Sequence, residues 1–82
     1  MQSQKAPKPA IIRAARKALA VALHKSDMGV TKAVQYVAGK YTSLRRCDIL
    51  EMAQDEHLNL GTVNRHFYEV RSGKIDPPKT IH

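Results

Sequence analysis

The chain has 82 residues, 43% of them hydrophobic and 26% charged, which are the size and composition of one small soluble domain. Its single cysteine, Cys47, excludes an internal disulfide framework, and no stretch approaches the roughly 18 consecutive apolar residues of a membrane span. The formal net charge of +7 indicates a polyanionic partner, and so short a chain leaves little room for a large enzyme active site.

The prolines lie only near the two ends of the chain and divide it into three parts. They are Pro7, Pro9, Pro77 and Pro78. Because the middle contains no helix-breaking residue and no strand-like alternation, we expect an all-α fold, a small bundle of about four helices. The predicted parts are a basic flexible arm at residues 1–9, a helical domain at 10–73 and a flexible tail at 74–82.

The first two predicted helices follow from apolar residues at helical spacing. The first runs from about Ala10 to Lys25. Its apolar stripe comprises Ile11, Ile12, Ala15, Leu19, Ala22 and Leu23. A shorter second helix spans about Thr31 to Ala38 and ends near Gly39. Its inward residues are predicted to be Val30, Val34 and Val37.

The third and fourth helices are predicted from capping residues. Ser43 is the expected N-cap of a third helix that reaches about Glu56, and Asn59 is the expected N-cap of the fourth. The buried candidates of the third are Ile49, Leu50, Met52 and Ala53. The fourth has an inward stripe of Leu60, Val63, Phe67 and Val70, and Gly73 closes it.

The stretch from Leu50 to Arg71 has the pattern of a helix-turn-helix motif. A small residue is needed where the two helices cross, and Ala53 fits there. Leu58 is placed to seal the corner, and Val63 to face the first helix from the second. Because His57 occupies the turn position where glycine is usual, we expect a left-handed or altered turn at this residue.

The same stretch predicts which side chains the second helix of the motif presents outward. They are Gly61, Thr62, Asn64, Arg65 and Tyr68. Arginine pairs bidentately with guanine and asparagine with adenine, while threonine and tyrosine reach phosphate oxygens. Such a helix would enter a major groove with its N-terminus first.

The run LNLGTVNRHF, from Leu58 to Phe67, resembles the C-terminal DNA-binding segment of the Fis family (factor for inversion stimulation). It is also similar to the start of the TetR-type recognition helix. The resemblance covers about Asp48 to Arg71, and Fis-type proteins are short homodimers, which fits a chain of this length. By analogy, the residues that contact DNA would be Asn59, Thr62, Asn64, Arg65 and His66.

These observations predict a cytoplasmic, nucleoid-associated transcription regulator of phage, plasmid or bacterial type that binds double-stranded DNA as a homodimer. Tyr68 and Arg71 complete the predicted contacts of the fourth helix. The N-terminal part, which contains no acidic residue, would add contacts to phosphates. The residues expected to make them are Lys5, Lys8, Arg13, Arg16 and Lys17.

Two other functions fit the same composition. A protein-binding adaptor, for example on RNA polymerase, would lay Ile12, Leu19 and Leu23 into a partner's groove. A structured-RNA binder would stack bases on an exposed tyrosine beside basic residues. We expect no enzyme, metal or cofactor chemistry, because the spacing of Cys47, His57 and His66 matches no zinc pattern.

Overall fold

A computed structural model describes residues 7–80 of the chain, and in them it forms four α-helices and no strand. The helices are α1 (Pro9–His24), α2 (Val30–Lys40), α3 (Arg46–Asp55) and α4 (Leu60–Arg71). The predicted all-α bundle is therefore confirmed. Lys5 and most of the predicted N-terminal arm lie outside the described residues.

The core is built around α2, which packs against α1 on one side and α4 on the other. Six consecutive residues of α2, 33–38, are buried, and they include Gln35 and Tyr36. Six consecutive residues span more than one helical turn, so neighbouring parts of the chain cover this stretch of α2 on all sides. Because α4 also packs against α3, both helices of the predicted motif belong to the same core.

Helix α1 follows its predicted stripe closely. Ala15, Leu19 and Ala22 are buried, and Ile12 and Leu23 pack against the core at the edges. The helix begins at Pro9, one residue before the prediction. Proline suits this position because the first helical N–H has no partner within the helix and the ring presets the backbone angle φ.

Helix α2 ends at Lys40, one residue after Gly39 and so near it as expected, but one prediction for this helix is wrong. Val30 is the first helical residue and is 37% exposed, because the packing against the neighbouring helices begins one turn later, at Ala33. Val34 and Val37 are fully buried, as predicted.

The predicted N-cap of α3 is also wrong. Ser43 lies in a turn in which the Leu44 N–H donates to the Tyr41 carbonyl at 3.1 Å, and the Leu44 side chain is buried in the core. This turn delays the helix until Arg46. Arg45 is the N-cap, and its backbone N–H donates to the Asp48 carboxylate at 2.9 Å.

The inward stripe of α4 is narrower than predicted. Val63 and Phe67 are buried and Val70 is partly buried, but Leu60 is 41% exposed. Leu60 is the first residue of α4 and therefore lies beyond the part of the helix that α2 and α3 cover. Leu50 of α3 likewise packs only at the edge of the core.

Candidate nucleic-acid interface

The corner between α3 and α4 has the backbone of a Schellman motif. His57 has a φ of 60°, in the left-handed region, which confirms the turn expected from its position. The Leu58 N–H donates to the Ala53 carbonyl at 2.9 Å, and the His57 N–H donates to the Gln54 carbonyl at 3.1 Å. These bonds satisfy the last carbonyls of α3 and redirect the chain into α4.

The three apolar residues of the predicted motif have their expected places. Ala53 and Val63 are fully buried, and Leu58 packs against the core just after the turn. Asn59 caps α4, since its Oδ1 accepts a hydrogen bond from the Thr62 backbone N–H at 3.0 Å. The start of α4 is thus fixed by backbone and cap together.

The outward face of α4 carries polar side chains that are open to solvent. Gly61 and Thr62 are exposed in its first turn. The Arg65 side chain is 75% exposed and lies 3.7 Å from a carboxylate oxygen of Glu69. Tyr68 is 61% exposed, and the Lys74 amino group lies 5.5 Å from the centre of its ring. This face therefore offers hydrogen-bond donors, two cations and one aromatic surface.

One flank of the face joins α3 through a residue that the sequence reasoning did not select. The Arg46 guanidinium donates to Asn64 Oδ1 at 3.3 Å. Arg46 stands at the start of α3 and is exposed, while Asn64 is half-buried on the side of α4 that faces α3. No local pattern links two residues 18 positions apart, so only the folded chain reveals the pair.

Two of the predicted contact residues, His66 and Arg71, make polar contacts within the fold. The His66 side chain is 13% exposed, and its ring nitrogens contact Thr31 Oγ1 of α2 and Glu69 Oε1, each at 3.1 Å. The Arg71 guanidinium donates to the Ala38 and Tyr41 carbonyls at 3.3 and 3.1 Å. The structure thus ties both residues to α2 or to the segment that follows it.

Arg71 also stacks on an aromatic ring. Its guanidinium carbon lies 4.5 Å from the centre of the Phe67 ring. Burial lowers the pKa of Arg71, although a guanidinium remains charged at neutral pH. A cation at the carbonyl end of α2 is also favoured by the helix dipole.

The predicted phosphate contacts of α1 differ in whether they are free for an anion. Lys8, Arg13 and Lys17 are exposed, whereas Arg16 forms ion pairs with Glu51 and Asp55 of α3. At 3.6 residues per turn, these two acidic residues lie roughly 140° and 180° around α3 from Arg46. Arg16 therefore lies on the opposite side of α3 from Arg46.

The part of the chain that the structure describes offers neither a bilayer crossing nor a metal centre. None of its helices combines the length and apolarity that a membrane span requires. Within residues 7–80, no three histidine, cysteine, aspartate or glutamate side chains are grouped so that they could hold a metal ion. Comparison of the chain with protein-family models, curated proteins and solved structures found no match.

Proposed function

We propose that this chain is a small sequence-specific protein that binds double-stranded DNA and regulates transcription, with α4 as the recognition helix. The observation that carries the proposal is the outward face of α4 beside a helix-turn-helix corner, with Thr62, Arg65 and Tyr68 open to solvent. The resemblance of residues 58–67 to the Fis-type segment supports the same assignment.

The chemistry of this face suits base edges and phosphates. Arg65 is held only by an exposed ion pair to Glu69, and such pairs contribute about 0–1 kcal/mol, so a guanine edge competes with it readily. Thr62 and Tyr68 supply hydroxyl groups for phosphate oxygens. Because their side chains make contacts within the fold, we leave His66 and Arg71 out of the proposed DNA contacts of α4 and Arg16 out of the proposed phosphate contacts of α1.

The net charge supplies the part of the affinity that does not depend on sequence. With a formal charge of +7, the chain releases counterions when it neutralises phosphates, so its affinity falls steeply as salt rises. Lys8, Arg13 and Lys17 would act in this way, as would Lys5 in the arm. We expect Arg13→Ala to weaken binding to all sequences alike.

A single recognition helix reads few base pairs, so we propose a homodimer on a palindromic site. Its half-sites would be centred about 34 Å apart, or a multiple of this distance. Such a protein acts in the cytoplasm and on the nucleoid, where RNA polymerase is a further candidate partner.

Selection of bound duplexes from a random pool at physiological salt tests the proposal. We expect enrichment of a defined site, and we expect Arg65→Ala to lose about 1–3 kcal/mol at one base position. Lys32→Ala, which removes one exposed positive charge from α2, is the matched control and leaves the preferred sequence unchanged. If Arg65→Ala changes neither affinity nor preference, the recognition helix is wrongly assigned.

The alternative functions have less support. The stripe that an adaptor would offer to a partner contains Leu19, which is 1% exposed, and Ile12 and Leu23 pack against the core beside it. For stacking of RNA bases, Tyr36 is buried and Tyr41 packs against the core, so only Tyr68 is open. Competition between duplex DNA and structured RNA separates the remaining alternative from the proposal.

A further inference from the structure

The bond between Arg46 and Asn64 fixes the orientation of the Asn64 amide. A guanidinium can only donate hydrogen bonds, so the atom it meets at 3.3 Å must be the amide oxygen. The Asn64 amide nitrogen, with its two N–H donors, is therefore left for another partner.

Arg46 also differs from most other arginines of the described chain in having no carboxylate beside it. Arg45 is paired with Asp48, Arg16 with Glu51 and Asp55, and Arg65 with Glu69. Among residues 7–80, no ion pair to Arg46 is formed, and its side chain is exposed. Its positive charge therefore acts on whatever approaches Asn64.

Adenine and guanine present different hydrogen-bonding groups to an asparagine in the major groove. The bidentate pair with adenine uses the amide oxygen to accept from the adenine amino group and the amide nitrogen to donate to N7. Guanine presents two acceptors, O6 and N7, on the same edge. A second lone pair remains on Asn64 Oδ1, but an adenine amino group that approached it would meet the Arg46 guanidinium, donor against donor.

We infer that Arg46 and Asn64 form one donor surface that selects guanine, and not adenine, at the base position that Asn64 faces. Arg46 is then a specificity-determining residue on α3, although α4 is the recognition helix. This inference rests on the proposed function, because it requires that α4 enter the major groove of duplex DNA.

The test is selection from random duplexes with the full-length chain and two variants. Comparison of Asn64→Ala with the wild type identifies the base position that Asn64 contacts, because only that position loses its sequence preference in the variant. We expect this position to be guanine, with at least about fivefold discrimination over adenine in competition between duplexes that differ at that base pair. Arg46→Ala frees the amide oxygen, so the preference at this position shifts towards adenine.

Arg13→Ala is the matched control, because Arg13 is an exposed arginine on α1 without an ion pair in the described part of the chain. It removes the same charge and lowers affinity without changing the preferred base. Adenine at the Asn64 position in the wild type, or guanine that persists in Arg46→Ala, overturns the inference while the proposed function stands. If Asn64→Ala alters no position, the inference also fails. A pool without any enriched sequence overturns both, and circular dichroism of each variant confirms that it is folded.

Discussion

Pro77 of the C-terminal tail lies directly against Gly39 of α2. A Cβ atom on residue 39 would be 2.7 Å from the Pro77 Cβ, closer than carbon atoms approach in proteins. Gly39 is the last residue but one of α2, and within a helix glycine is about 1 kcal/mol less favourable than alanine. The missing side chain leaves the space that the proline ring occupies.

This contact predicts that the effect of Gly39→Ala depends on residue 77. In the wild-type background, the gain in helix propensity is offset by the clash, so the free energy of unfolding stays the same or falls. In a Pro77→Gly background the clash is absent, and the same change raises it by about 1 kcal/mol. Urea unfolding followed by circular dichroism measures both. An equal gain in the two backgrounds would show that the tail does not rest on α2.

The left-handed turn at His57 predicts a stabilising substitution. A residue with a Cβ costs roughly 1 kcal/mol at positive φ, and glycine avoids this cost. We expect His57→Gly to raise the free energy of unfolding by about 0.5–1 kcal/mol and His57→Val to lower it. Ala14→Gly is the control, because Ala14 is exposed in the interior of α1 and the variant should lose about 1 kcal/mol. A loss at both positions would argue against the turn.

The contacts of Arg71 predict that it stabilises the fold. Arg71→Ala removes two hydrogen bonds to carbonyls and the stacking on Phe67, so we expect the free energy of unfolding to fall by about 1–2 kcal/mol. Arg65→Ala, on the exposed face of the same helix, is the control and changes it by about 0.5 kcal/mol or less. Equal, small losses in urea unfolding would return Arg71 to the candidate DNA contacts.

The start of α3 predicts a pH dependence of stability. Hydrogen bonds from the Arg45 side chain and backbone hold the pKa of Asp48 below its usual value of about 3.9. Since the folded chain has the lower pKa, this carboxylate stabilises the fold fully above the unfolded-state pKa. The contribution disappears as the pH falls through the folded-state pKa.

We therefore expect Asp48→Asn to lower the urea midpoint at pH 7, where Asp48 is charged in both states. The difference between wild type and variant should shrink as the pH is reduced to about 3. A difference that is constant between these two pH values would mean that the charge of Asp48 contributes nothing to the cap.

The parts of the fold that local sequence determines could be predicted from the chain. Asn59 caps α4, and Gly73 follows it with a φ of 78°, because a cap and a left-handed glycine act within one helical turn. Ser43 failed as a cap because the burial of Leu44, a tertiary effect, shifts the helix start to Arg46. A capping residue in the sequence cannot reveal that competition.

In the candidate site, too, the features set by local sequence could be predicted and those set by tertiary packing could not. Helical spacing identified the open face with Thr62, Arg65 and Tyr68, since the spacing defines the direction opposite the core. It did not reveal which neighbouring helix lies along each side of that face. For this reason the sequence could not show that His66 and Arg71, both predicted to contact DNA, make hydrogen bonds to α2.

Helix α4 is held to α2 at two levels. His66 contacts Thr31 near the start of α2, and five positions later Arg71 binds the Ala38 carbonyl near its end. The orientation of α4 therefore depends on α2, a helix that makes no proposed base contact. Under the proposed function, a substitution at the buried Val34 of α2 would rotate the outward face of α4. It would alter the preferred DNA sequence while every polar side chain at the surface stays the same.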